Sequence, residues 1–504
     1  MTQPTDRTQQ DLLPGGALAI AGGPLGRHAS ARAVSWAASV VPLLVATAAT
    51  MALSVAERAH CLQKGWTGSD QFWHACFSDL PALYQLGNLD NGLASYVGGD
   101  GARADHPVLT GAVMAWVGGL VPDGSFLDQT RWYFALWALL ATALAVAIVY
   151  LVAASRPLHS THAAQFALSP VLLLTAMLSP DIFGVALATA GIWAWSRRRP
   201  ALAGALLGLA VTARTYPLLI LLALVVLGLR TGRLGAVGRT LASAAGAGAV
   251  VLLPFLVANP GAILRSYQLW WDSAAGLGSP WMIPQLVGHP LPTGAATLLT
   301  LVGLVVSTLV GAVFALSTRR RPTLAEVALV LVALALVTGK TFPVQASLWL
   351  LPLVALCGLR WRDHLVWAGA EALHFVAVWI YVGGLSKPDR GLPPGWYAVF
   401  LCLRVIAVGY LVWRVWRTAA ERAEAPGPEA HSFAEPYPAP DAEPHSAPAD
   451  EADAESLQDP TDPGPSDPAR TPVAVLLDDD SDAVVDELAG DFTDAPDHLL
   501  VRLA

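Results

Sequence analysis

Residues 181–233 read DIFGVALATAGIWAWSRRRPALAGALLGLAVTARTYPLLILLALVVLGLRTGR. Three apolar runs, 181–196, 200–213 and 216–229, alternate with a triple arginine at 197–199, a lone Arg214 and the pair Arg230 and Arg233. Cytoplasmic loops of membrane proteins collect Lys and Arg, so the rich clusters predict inside loops and the lone Arg214 an outside one. Each run is shorter than the ~20 residues a straight spanning helix needs. Short spans imply a locally thinned bilayer, helices that begin at a cavity, or segments that enter without crossing.

The same alternation extends in both directions. Further apolar segments lie at 33–55, 107–121, 131–155, 163–178, 238–258, 291–316, 323–339, 343–359, 363–384 and 395–416. Arginines recur at every second loop, as Arg319 to Arg321, Arg360 with Arg362, and Arg414 with Arg417. Parity then requires one segment before Asp181 not to cross, and the 15-residue run 107–121 is the candidate. The expectation is an all-α polytopic membrane protein of about twelve transmembrane helices, with both termini cytoplasmic.

Composition supports this class. Of 504 residues 54% are hydrophobic and 13% charged, the mean hydropathy is +0.51, and a soluble domain carries roughly 25% charged residues. The formal net charge of −8 hides a division, because residues 421–504 hold 22 acidic and 3 basic residues and leave 27 basic against 16 acidic in the rest. Residues 1–32 read as a cytoplasmic N-terminal segment, 33–418 as the transmembrane domain, and 419–504 as an acidic, proline-rich, disordered cytoplasmic tail. The end of that tail, Val473–Leu477 and Ala483–Leu488, is more apolar and is a candidate docking motif for a cytoplasmic partner. Neither part implies nucleic-acid binding.

Two outer loops are long, 56–106 and 259–290, and loops of that length in a compact domain are functional or disordered. The first holds Trp66, Trp73, Asp70, Asp79, Asp90, Asp100 and Asp105, too many aromatic groups for disorder. Its Cys61 and Cys76 both face outward in this topology, which predicts a disulfide; the loop-entropy model gives about 3 kcal/mol for ~15 residues. No Gly-rich phosphate loop, HExxH or GxSxG element occurs. The histidines show no ligand spacing, so neither a metal site nor a cofactor is expected. Gly204 and Gly208 form a GxxxG pair, read as a packing contact.

Isolated charges converge on the expected outer face: Asp79, Asp105 with His106, Asp181, Arg214 and Lys340. Ionisable groups at membrane depth are costly unless paired or hydrated, which marks them as functional candidates. Cations beside carboxylates, next to lipid, suit a site that binds a lipid phosphate and activates a hydroxyl.

At these residues the sequence resembles the GT-C membrane glycosyltransferases, and most closely the actinobacterial members of glycosyltransferase family 87. The resemblance runs over roughly 33–418. It rests on Cys76-Phe77-Ser78-Asp79, on Asp105-His106-Pro107-Val108-Leu109-Thr110-Gly111, on Pro180-Asp181, on Arg199 through Gly208 to Arg214-Thr215-Tyr216-Pro217, and on Lys340 to Leu353 with Gln345. Where the family pattern has Glu-Tyr this chain has Asp105-His106, and where it has Lys this chain has Arg214, which keeps the charge but changes the hydrogen-bond geometry.

The resemblance implies an inverting hexosyltransferase at the plasma membrane, its active site facing outside. It would move a sugar, mannose by the family's habit, from a polyprenyl-phosphate donor to a lipid or cell-envelope glycan acceptor. Asp79 takes the role of general base, with Asp70 and Asp105 as competitors. Arg214, with Lys340 or Arg265, would hold the donor phosphate. Tyr216, Trp270 and Trp271 would stack on sugar or prenyl chain, with Gln345, Asp181 and His106 as further lining. Two other classes stay open: a transporter or flippase of lipid-linked intermediates, and a non-catalytic scaffold whose tail recruits partners.

Overall fold

The computed structural model describes residues 36–97, 106–424 and 486–498, all in helices and their connections, with no strand among them. The N-terminal segment, Asp100, Asp105 and most of the tail lie outside the described residues. In chain order the main helices are α1 (Trp36–Glu57), α2 (Asp79–Leu86), α3 (Val108–Gly118), α4 (Phe126–Ser155), α5 (Asp181–Ser196), α6 (Pro200–Ala213), α7 (Pro217–Thr231), α8 (Leu234–Ala258), α9 (Pro260–Asp272), α10 (Thr293–Ser317), α11 (Leu324–Thr338), α12 (Ser347–Cys357), α13 (Trp361–Ser386) and α14 (Pro394–Glu424).

Among the described residues six helices, α1, α4, α8, α10, α13 and α14, are long and apolar enough to cross a membrane. The apolar helices α3, α5, α6, α7, α11 and α12 are shorter. At ~1.5 Å per residue, a 15-residue helix reaches only ~22 Å against a hydrocarbon core of ~30 Å. Burial separates the two groups. Helices α5, α11 and α12 are mostly buried, whereas α8 and α10 expose apolar side chains such as Val250 (72%), Val257 (85%) and Leu298 (62%). Exposed apolar surface of this extent is the lipid-facing exterior of a bundle.

Local chemistry sets the helix ends. Thr323 and Glu326 form a reciprocal capping box that opens α11. Pro200 and Pro217 stand in the first turns of α6 and α7, where the missing N–H is not needed. The apolar run 163–178, read from sequence as one segment, is instead broken: a 3-10 turn at Pro157–Ala163 and helix Ala164–Ala167 end before Ser169, whose hydroxyl caps Pro170–Thr175. Proline cannot continue the preceding helix, and the Ser-Pro pair starts a new one.

The GxxxG pair does pack helices. A Cβ on Gly204 would lie 2.0 Å from the Thr240 carbonyl oxygen, and one on Gly208 2.2 Å from that of Ala244. Only hydrogen at these two positions lets α6 and α8 approach backbone to backbone.

Contacts bring the turns α5–α6, α7–α8, α10–α11 and α12–α13 to one end, where the arginine clusters lie: Arg230 donates to the Ala315 and Thr318 carbonyls, Arg156 to the Leu356 carbonyl, and residues 494–497 reach Arg198, Arg230 and Arg321. Asp181, Arg214 and Lys340 stand at the opposite helix ends. One expectation fails at the arginine-bearing end. Residues 486–498, assigned from composition to the disordered tail, form one compact unit with the helical body, with Leu488, Ala489 and Phe492 buried.

Candidate active site

The first loop is fastened before Asp79 is reached. Cys61 and Cys76 form a disulfide, both fully buried. Trp66 donates its indole N–H to the Cys76 carbonyl (3.2 Å), and Arg131 of α4 holds the carbonyls of Leu62 and Gln63, each at 2.8 Å. Phe72 and Phe77 pack on Trp379 of α13, with ring centroids 5.9 and 4.6 Å away. Ser78 then caps α2, accepting from the Leu80 N–H and donating to the Met177 carbonyl at 2.6 Å. The Asp79 N–H donates to the Leu178 carbonyl at 2.8 Å. Asp79 is thereby tied to the chain three residues before α5 begins.

Helix α5 opens with Asp181, which is 2% exposed. Its carboxylate accepts from the Ser179 hydroxyl (2.9 Å) and the Trp349 indole N–H (2.7 Å), and pairs with the Arg214 guanidinium. Arg214 leaves the end of α6 in extended conformation. The adjacent Ala213 carbonyl accepts from Thr110 of α3 at 2.8 Å, which anchors the segment opened by His106. Tyr216 stacks on Trp349 at 4.9 Å with the rings 11° from parallel. The Arg214 Nε–H is buried and has no hydrogen-bond partner in the protein, and a charged donor left unmatched in such a place is costly.

The charges act on one another. Burial, reinforced by the Asp181 carboxylate, pushes the Asp79 carboxyl up to about 7, and Arg214 opposes the rise. Burial, with help from Arg214, pulls His106 down to about 3, so the imidazole is neutral. Asp79, His106, Asp181, Arg214 and Tyr216, all named from sequence, are therefore close enough for their charges to act on one another, and together they make the candidate site. Around pH 7 it holds a carboxylate able to take a proton and a cation with a donor to spare, the two functions that hydroxyl activation and phosphate binding require.

The other sequence candidates gather elsewhere. Lys340 is fully buried, and its ammonium donates to the carbonyls of Trp271 and Ser273 (both 2.9 Å) and to the Thr297 hydroxyl (2.8 Å). Three donors meet three acceptors, so the Lys340 ammonium holds the end of α9 and has no N–H left over for a phosphate. Its charge also lies 4.6 Å from the centroid of the Trp270 ring. Trp270 donates to Thr341 (3.3 Å) and meets Trp271 edge to face, and Trp271 is 55% exposed. Arg265 is half-buried on α9, and Gln345 is half-buried in the turn before α12. Asp70 pairs with His60 at 2.6 Å on the loop surface and makes no described contact with Arg214.

Sequence reasoning missed three features. Trp349, which orients Asp181 and stacks on Tyr216, is one of 18 tryptophans and carried no signal of its own. Glu371 and Arg404, a buried ion pair at 2.8 Å, were detectable as charges inside apolar runs. Arg404 also donates to the carbonyls of Phe342 and Pro343 (2.6 and 3.1 Å), fixing the turn between Lys340 and Gln345. Finally, His60, Asp70 and His74 each offer one ligand atom, all within 4.8 Å of one another. They could hold a divalent cation with open positions. The Asp70–His74 spacing of four was the available sign.

The profile of glycosyltransferase family 87 matches residues 121–339. That interval contains Asp181, Arg214, Tyr216, Arg265, Trp270 and Trp271, and excludes Asp79, His106, Lys340 and Gln345. The match spans less than half of the chain and includes the motif stretch from Pro180-Asp181 through Arg214-Thr215-Tyr216-Pro217. Among solved structures, the crystal structure of ArnT from Cupriavidus metallidurans bound to undecaprenyl phosphate aligns with 63% of this chain and 68% of that one, at 13% identity and a TM-score of 0.33. No curated protein matches in sequence.

Proposed function

We propose, with the family 87 match as premise, that this chain transfers a hexose from a polyprenyl-phosphate donor to a hydroxyl of a lipid or cell-envelope glycan on the outer side of the plasma membrane. Mannose is the sugar we assign. The observation that carries the reading is the buried Asp181–Arg214 pair, whose charges act on Asp79 and in which Arg214 keeps a buried, unmatched N–H.

The chemistry follows from the charges. Asp79 accepts the acceptor hydroxyl proton as the oxygen attacks the anomeric carbon. The bond from that carbon to the phosphate oxygen breaks, and its electron pair leaves with the lipid phosphate. Attack opposite the leaving group inverts the anomeric centre. Arg214 meets the charge that grows on the departing phosphate, where a fixed donor is worth most. Asp181 and Trp349 keep the guanidinium aimed, and Tyr216 offers a flat face to sugar or prenyl chain. Arg265 is the second cation for the phosphate, while Lys340 acts by holding Trp270 and Trp271.

The test is transfer of labelled mannose from polyprenyl-phosphomannose into the lipid fraction, using membranes with equal amounts of wild type, Asp79→Asn or Arg214→Ala. A general base contributes roughly 10²–10⁴-fold and a charge-stabilising donor roughly 10²–10³-fold, so both variants should fall near background. Transfer that survives Asp79→Asn would move the base to Asp70 or Asp105. Failure of the wild type with every polyprenyl-phosphate sugar would sink the enzyme reading in favour of transport or scaffolding.

A further inference from the structure

The segment 486–498, DELAGDFTDAPDH, lies against the arginine-bearing end of the bundle, and its residues are used as a recognition peptide's would be. Glu487 is almost wholly buried. Its two oxygens accept from the Leu158 backbone N–H (2.6 Å), the His159 ring (3.0 Å) and the Arg156 guanidinium (3.3 Å). Phe492, 2% exposed, packs on Trp195 with ring centroids 4.8 Å apart. Between them Gly490 has φ +53°, and a Cβ there would meet the Trp195 carbonyl oxygen at 2.2 Å. Asp497 takes the Nε–H and Nη2–H of Arg230 and the Arg321 backbone N–H. Asp494 pairs with Arg198 at 3.2 Å, and its carbonyl accepts from Arg233 at 3.2 Å.

This pattern is more specific than an acidic tail near a basic surface. An apolar anchor on Trp195, an obligatory glycine against backbone, a buried carboxylate at Glu487 and a carboxylate on the buried Arg230 guanidinium define register as well as charge. Arg230 is fully buried and spends its remaining donors on the carbonyls of Ala315 (2.7 Å) and Thr318 (2.8 Å), so it is fixed before the peptide arrives. The contacted helices are also those of the active site. Trp195 ends α5, which begins at Asp181; Arg230 ends α7, which begins beside Tyr216; and Arg156 binds the Leu356 carbonyl at the end of α12, which carries Trp349.

We propose that the arginine-bearing end is a binding site for an acidic peptide with an aromatic anchor, that residues 486–498 of the same chain are its tethered occupant, and that occupancy braces α5, α7 and α12. The bracing clause rests on the active-site reading; the peptide site stands without it.

The experiment keeps the chain whole until the segment is docked. A protease site is inserted within residues 440–470 of the full-length protein, the purified protein is cut, and the release of the C-terminal fragment is followed by size exclusion in detergent. The wild-type fragment should stay with the body, and added synthetic peptide of residues 486–498 should displace it. The same peptide carrying Phe492→Ala and Asp497→Asn should need at least tenfold more to do so. A fragment that separates from the wild-type body on cutting, or equal displacement by both peptides, would overturn the site. Unchanged mannose transfer after displacement would remove the bracing clause alone, and loss of transfer by the uncut Asp79→Asn chain with the fragment still bound separates the two readings.

Discussion

Asp79 carries a pH signature that follows from its surroundings. A base must be ionised to accept a proton, and burial with the Asp181 charge raises this carboxyl to about 7. Transfer should therefore rise as pH increases through neutrality, where an ordinary carboxylate would already be flat. Asp181→Asn removes one raising charge and releases Arg214, which lowers the Asp79 value, so the acidic limb should move to lower pH. Initial rates from pH 5 to 9 check this, and superimposable limbs for wild type and Asp181→Asn would show that Asp79 does not titrate in the rate. This residue-level site was legible because lone charges at the ends of apolar runs have few structural uses. The use made of Lys340 was not legible. Only coordinates reveal that its three donors are met by Trp271, Ser273 and Thr297.

Among elements, the α6–α8 contact is the one where sequence and packing agree most directly. The Gly204 and Gly208 pair spells a close approach, and a methyl at either position would fall well inside van der Waals contact distance of a carbonyl oxygen. Gly204→Leu must push the helices apart, and because Arg214 leaves the end of α6, the strain reaches the candidate site. Such overpacking costs roughly 1–3 kcal/mol or more. Detergent-solubilised Gly204→Leu should unfold at a lower temperature than wild type by several degrees, whereas Gly235→Leu, whose added Cβ meets nothing, should unfold nearly as wild type does. Equal melting temperatures for both would argue against the contact. The disulfide is a second element-scale device. Without it the Asp79 segment loses its covalent tie and keeps the hydrogen bonds of Trp66, Arg131, Ser78 and Asp79 and the packing of Phe72 and Phe77, so Cys76→Ser should lower transfer while leaving the helical content unchanged by circular dichroism. Elements were misread where apolarity alone was the guide: 163–178 looked continuous because its break is a Ser-Pro pair set in apolar sequence.

At the scale of the molecule, six long and six short apolar helices among the described residues divide the work. Long helices such as α8 and α10 expose apolar faces, while the short α5, α11 and α12 are mostly buried. At ~1.5 Å per residue, α5 with its 16 residues falls short of a hydrocarbon core of ~30 Å, a length that suits a recessed Asp181 reached by a lipid-borne phosphate from the side and by an acceptor hydroxyl from the water. The opposite end holds the arginines. If arginine-rich turns face the cytoplasm, the site faces outward, and a nucleotide-linked sugar made inside the cell could not reach it; a lipid-linked donor could. Donor access therefore depends on which side of the membrane the Asp181 end faces. Single cysteines at Asp389, near the Asp181 end, and at Arg320, at the other, decide it when introduced in a background without the exposed Cys402. In intact cells a membrane-impermeant maleimide should label Asp389→Cys and spare Arg320→Cys until the membrane is opened. The reverse pattern would turn the site toward the cytoplasm, and the case for a lipid-linked donor on grounds of access would fall with it.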